Sequence, residues 1–151
     1  MVCRIAVAQV EAVPGDVLGN VARVARLLDE AHDGGAELAL FPEAVITGYD
    51  ASVFTGRLPD LTDTSWLAPV QAVVDRAGIT AVVNTALQRK RHRSLTDLLL
   101  APGREPVAVY DKQHLYEEER PVFTPGAGGS TITVNGLVVA LSVCYDANFP
   151  E

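Results

Sequence analysis

Two short runs constrain this chain more than any other feature: Leu38-Ala39-Leu40-Phe41 and Ile79-Thr80-Ala81-Val82-Val83, each almost wholly apolar. Four or five residues are too few for a buried helix. A strand without polar alternation is stable only where both faces of its sheet are covered. Candidate covers are legible nearby. After Pro14-Gly15, apolar residues fall at helical spacing (Val21, Val24, Ala25, Leu28, Ala31) until Gly34-Gly35 ends the pattern. A second helical stretch is expected from about residue 65 to residue 77, closed by Gly78. With a β-branched first strand over residues 4–10, the order is βαβαβ. The pattern then becomes a meander. Residues 98–100 are separated from 107–110 by Pro102-Gly103, and residues 131–134 from 137–143 by Asn135-Gly136, a hairpin signal. The expectation is a single α/β domain over residues 1–151.

Composition narrows the partners. With 48% hydrophobic and 21% charged residues the chain has the material for a packed core. A net charge of −7 opposes binding to nucleic acid or acidic membranes, which need a concentrated cationic face. The one basic cluster, Arg89-Lys90-Arg91-His92-Arg93, lies between apolar runs and reads as a solvated turn. No charged leader precedes a long apolar stretch, and no run approaches the roughly 20 residues that span a bilayer. Cys3 and Cys144 sit at opposite ends of the pattern and are read as reduced thiols. A cytoplasmic protein is expected.

Three polar residues stand where strands finish: Glu43, Lys112 and Cys144. Sites in open α/β sheets collect at the carboxyl ends of strands, so the three can converge. Taken singly, each has a plain explanation as a solvated glutamate, a surface charge or a core thiol. The lysine carries an extra signal, because the chain has ten arginines and only two lysines. A compact ammonium at 112 suits a point charge aimed at a developing oxyanion, where a guanidinium fork would not fit.

The strings Phe41-Pro42-Glu43, Tyr110-Asp111-Lys112-Gln113-His114-Leu115-Tyr116 and Cys144-Tyr145-Asp146-Ala147-Asn148-Phe149-Pro150-Glu151 resemble, in order, the three signature blocks of the nitrilase or carbon-nitrogen hydrolase superfamily. Ile5-Ala6-Val7-Ala8-Gln9 with Asn20, Thr47-Gly48-Tyr49 and Phe123-Thr124-Pro125-Gly126 extend the likeness along the whole chain. The resemblance implies an αββα sandwich. It also implies a triad of Glu43 as general base, Lys112 as oxyanion stabiliser and Cys144 as nucleophile, with the backbone N–H of Tyr145 completing the oxyanion site and Tyr49 near substrate. A second glutamate is implied after the lysine. The Glu-x-x-x-Phe spacing to Phe123 picks Glu119, while spacing from the lysine leaves Glu117 and Glu118 open. His114 is read as structural. No metal-ligand spacing surrounds it, and no cofactor is expected.

The implied reaction is hydrolysis of a small aliphatic or ω-amide through a cysteine thioester, with release of ammonia. Cys144-Tyr145-Asp146 is similar to amidase-type members, and Asn148 stands where many ω-amidase-like members carry arginine, which leaves the acyl group open. A nitrilase, an N-carbamoyl amidohydrolase, an inactive fragment and a redox-sensing thiol are the alternatives. Because Glu151 follows Cys144 by only seven residues, the domain is expected to be incomplete at its C-terminus, truncated after the nucleophile strand. A longer form is expected to be a homodimer or higher homo-oligomer.

Overall fold

The computed structural model describes residues 2–149. Pro150 and Glu151, which close the third signature block, lie outside the described residues. Strand β1 (Ile5–Val7) leads through helix α1 (Val17–Asp33) to β2 (Leu38–Leu40). A short helix α2 (Ala51–Thr55), a 3-10 turn (Ser65–Leu67) and helix α3 (Ala68–Ala77) then lead to β3 (Thr80–Gln88). Strands β4 (Arg93–Leu100) and β5 (Val107–Asp111) complete a five-stranded sheet of order β1-β2-β3-β4-β5. Strands β1, β2 and β3 are parallel, and β4 pairs antiparallel with both β3 and β5. Strand β5 therefore runs in the direction of β2. The segments that follow β2 and β5, which carry Glu43 and Lys112, leave the sheet at the same edge.

Both faces of this sheet are covered, as its apolar runs require. Val21, Val24 and Leu28 of α1 and Val70, Val73 and Val74 of α3 pack with Ala39, Ala81, Val83, Leu98 and Leu100 on one face. The alternate residues Leu38, Leu40, Val82 and Leu99 meet Ile132, Val134, Val139 and Leu141 on the other. These last four belong to a separate antiparallel hairpin, β6 (Ser130–Val134) and β7 (Leu137–Leu141). Its Asn135 and Gly136 both have positive φ (49° and 81°), the geometry an Asn-Gly hairpin turn demands. The layers run helix, sheet, hairpin.

The helix ends follow local rules. Asp16 caps α1 by accepting from the Gly19 N–H at 3.0 Å, and Gly78 ends α3 in the left-handed conformation. Several bounds differ from the sequence expectation. The first strand is three residues long, and the last ends at Leu141. Strands β3 and β4 are longer than their apolar cores because buried polar residues, Asn84 and Thr85 in one and Ser94, Thr96 and Asp97 in the other, continue the ladder. The basic segment is the turn between them. Lys90, Arg91 and His92 are exposed, but Arg89 pairs with Asp111 at 3.0 Å and Arg93 enters β4, its guanidinium donating to the Phe54 carbonyl.

Asn20 ties α1 to the loop after β2. Its amide donates to the carbonyls of Val13 (2.8 Å) and Ile46 (3.0 Å), and its oxygen accepts from the Val13 N–H (2.9 Å). Asn20→Ala is expected to destabilise the protein by about 2–3 kcal/mol, since it strands buried backbone groups. A urea midpoint showing under about 0.5 kcal/mol of loss would mean those groups find other partners.

Candidate active site

Glu43, Lys112 and Glu119 form one buried ion cluster. The Lys112 side chain is fully enclosed, and its Nζ donates to Glu43 Oε1 and to Glu119 Oε1, each at 2.7 Å. Burial alone pulls a lysine pKa down. Here the hydrogen bonds and negative charges of Glu119 and Glu43 outweigh burial, and the net shift is upward, so the ammonium stays charged. Glu119 is itself 1% exposed, while Glu117 and Glu118 face solvent. Burial thus separates the three candidate glutamates. Glu119 Oε1 also accepts from Tyr49 Oη (2.7 Å), and Oε2 accepts from the Tyr116 N–H (2.7 Å).

The lysine is fixed from both sides by backbone. Its N–H donates to the Leu95 carbonyl on β4, and its carbonyl accepts from the Gly126 N–H, each at 2.8 Å. Gly126 lies so close to the strand that an added Cβ would fall 2.1 Å from the Asp111 carbonyl oxygen, so only glycine fits there. Glu43 opens the turn over residues 43–47. The next residue, Ala44, has φ 51°, and its N–H donates to Asn84 Oδ1 at 2.8 Å.

Cys144 begins a 3-10 turn (Cys144–Asn148) and has φ 47°, a strained value for a residue with a Cβ. Its exposed side chain opens onto a cavity of about 610 Å³, which is also lined by Phe41, Glu43, Tyr49, Asn84 and Asp97. The thiol pKa is raised by partial burial first, then by the charge and hydrogen bond of Glu43; Lys112 pulls the other way. A thiol so placed rests protonated and needs a base to become a nucleophile. The structure therefore brings Glu43, Lys112, Glu119, Tyr49 and Cys144 to one place. The Tyr145 N–H lies in the first turn after Cys144, where helical N–H groups have no intrahelical partner. The Tyr145 ring packs edge-on against Tyr116 and Phe149.

Asp146 holds the cysteine turn to the lysine segment. It accepts from Tyr110 Oη (2.7 Å), the Val143 N–H (3.0 Å) and the His114 N–H (2.7 Å), and it pairs with His114 Nδ1 (3.0 Å). Burial would raise its pKa, but these hydrogen bonds lower it overall. His114 also stacks on Phe149, with ring centroids 3.9 Å apart, and its contacts are those of a packing residue. Sequence reasoning missed Asn84 and Asp97. Their signal was a polar residue at the inward register of an apolar strand, in line with Val82 and Leu99.

The family model for carbon-nitrogen hydrolases matches residues 4–151. A hydrolase of Mycobacterium tuberculosis is 33% identical across 97% of this chain and 54% of its own length. An (R)-stereoselective amidase of a Pseudomonas species is 26% identical across 91% and 49%. An amidase from a Nesterenkonia species superposes with TM-score 0.85 at 28% identity, over 98% of this chain and 57% of its own. Another form of that amidase shows the result of Michael addition of acrylamide at the active site cysteine. The chain spans about half the length of the curated relatives it matches.

Asp97 gives a prediction about pH. Burial comes first among the causes that push its pKa up to about 6, with Asp146, Glu43 and Asp111 adding to it against a hydrogen bond from Asn84. A raised acid pKa means stability is fullest below the unfolded value near 4 and is lost as pH rises through about 6. Asp97→Asn is therefore expected to gain on wild type by about 2 kcal/mol between pH 4 and pH 7. Urea unfolding of both proteins across that window checks it. A difference that stays constant with pH would show that Asp97 is not forced to ionise at a cost.

Proposed function

The chain belongs to the carbon-nitrogen hydrolase family, and on that premise we propose that the whole protein hydrolyses small amides through a thioester on Cys144. The observation that carries this reading is the enclosed Lys112 ammonium, bonded to Glu43 and Glu119 beside a cavity that exposes Cys144. An ammonium has three N–H donors, and two are taken by the carboxylates. The third is left for a substrate oxygen.

In the proposed cycle the Glu43 carboxylate takes the Cys144 thiol proton, and the thiolate attacks the amide carbon. The resulting oxyanion is held by Lys112 and the Tyr145 N–H. Collapse breaks the carbon-nitrogen bond, and Glu43 returns its proton to the departing amine as ammonia leaves. Water then attacks the thioester while Glu43 takes a proton from it. The second oxyanion collapses to a carboxylic acid, and the thiolate regains its proton. Glu119 touches Lys112 and Tyr49 rather than the reacting atoms, which suits a positioning residue. Tyr49, raised in pKa by burial and by Glu119, remains a neutral hydroxyl that orients Glu119. The relatives include amidases and a nitrilase, and the amide reading rests on the likeness of Cys144-Tyr145-Asp146 to amidase-type members.

Ammonia release from butyramide by the whole protein tests the reading. Cys144→Ala is expected to abolish turnover, since a methyl group forms no thioester, and hydrolysis within about tenfold of wild type would overturn it. Lys112→Arg is expected to be nearly as damaging as Lys112→Ala. A guanidinium is wider than an ammonium and presents a planar fork instead of a point charge, so an arginine variant close to wild type in kcat would reduce Lys112 to a generic cation.

A further inference from the structure

The cavity holds one acid that this cycle does not use. Asp97 comes from the middle of β4, where the ladder with β5 shifts register between Asp97 and Leu98. It is 5% exposed and lines the cavity with Glu43 and Cys144. Asn84 Nδ2 donates to its Oδ1 at 2.8 Å. Its Oδ2 accepts nothing from the described residues and is not fully enclosed, on a side chain that lines the cavity. Asn84 meets only the first oxygen: one of its two Nδ2 hydrogens goes to Asp97 Oδ1, and its Oδ1 accepts from the Ala44 N–H.

Charge around the cavity is unbalanced. Glu43 and Glu119 share one ammonium, Lys112, and Asp97 lies outside that ion cluster. Among the described residues no cationic side chain pairs with Asp97, since the Lys112 ammonium is bonded to Glu43 and Glu119. A buried carboxylate with a free oxygen and no cation is costly, and such a group in a cleft is a site candidate. Burial first, and then the negative charges of Asp146, Glu43 and Asp111, push its pKa up against the hydrogen bond from Asn84.

We propose that Asp97 determines specificity in the acyl pocket, and that the protein's amide substrates carry a protonated amino group on the acyl chain, seated against the free Asp97 oxygen. The inference rests on the amidase reading above and adds the substrate class. A carboxylate-bearing acyl group is disfavoured by the same charges, and a plain alkyl chain leaves the oxygen unpaired. The cavity, at about 610 Å³, has room for a short chain between Cys144 and Asp97.

Three amides of equal length separate the possibilities in the whole protein: 4-aminobutanamide, 4-hydroxybutanamide and pentanamide. The expected kcat/KM for the ammonium compound exceeds that for pentanamide by about tenfold or more, the scale of a charged hydrogen bond. In Asp97→Asn and, as a second variant, Asp97→Ser, that ratio is expected to fall to near one. A wild-type ratio near one, a preference for the hydroxyl compound, or a ratio that survives both substitutions would overturn the assignment. Calorimetric binding of the same three amides to Cys144→Ala separates this inference from the one it rests on. Selective binding with no turnover by the wild type would retain the ammonium site and remove the amidase reading. Turnover without selectivity would do the reverse, and neither turnover nor selective binding would remove both.

Discussion

Everything at this site depends on keeping one ammonium charged out of water. Removing a charge from solvent costs several kcal/mol unless good geometry and opposite charge offset it. The Lys112 side chain is wholly enclosed, so Glu43 and Glu119 are conditions of its existence in the fold as well as its neighbours. They arrive from separate stretches, one after β2 and one beyond β5. The sheet must bring both stretches to the same edge before the charge is tolerable, which the direction of β5 relative to β2 does.

The same edge is where backbone strain appears. Ala44 and Cys144 both have left-handed φ, and each is held by contacts outside its own turn. Ala44 is held through Asn84, and the Cys144 turn through Asp146, which also grips the backbone beside Lys112. Strained residues persist where the surroundings over-determine them. The polar side chains that do this work come from strands and turns whose other faces are packed hydrocarbon, so the core supplies the rigidity and a few buried polar atoms supply the aim.

Asn84 and Asp97 show the cost of that arrangement. They sit between two apolar clusters, Val82 and Leu99 on one side and Ala86 and Leu95 on the other, in the register an apolar pair would fill. A carboxylate there works against stability above about pH 6, and such a group is most simply understood through what it offers the cavity.

The sequence by itself determined the layer plan. Runs too short for helices and too apolar for a one-sided sheet demanded two covers, and capping and turn residues marked where α1, α3 and the β6–β7 hairpin stop and start. It also picked out Glu43, Lys112 and Cys144, because a polar residue just after a strand is visible as a break in pattern. Only the tertiary structure decided which of three consecutive glutamates is buried against Lys112, since Glu117, Glu118 and Glu119 differ in burial and not in chemistry. It alone placed Asn84 beside Asp97, because the register of the β3–β4 hairpin is fixed by the geometry of the turn between Gln88 and Arg93, whose basic residues carry no turn-type signal.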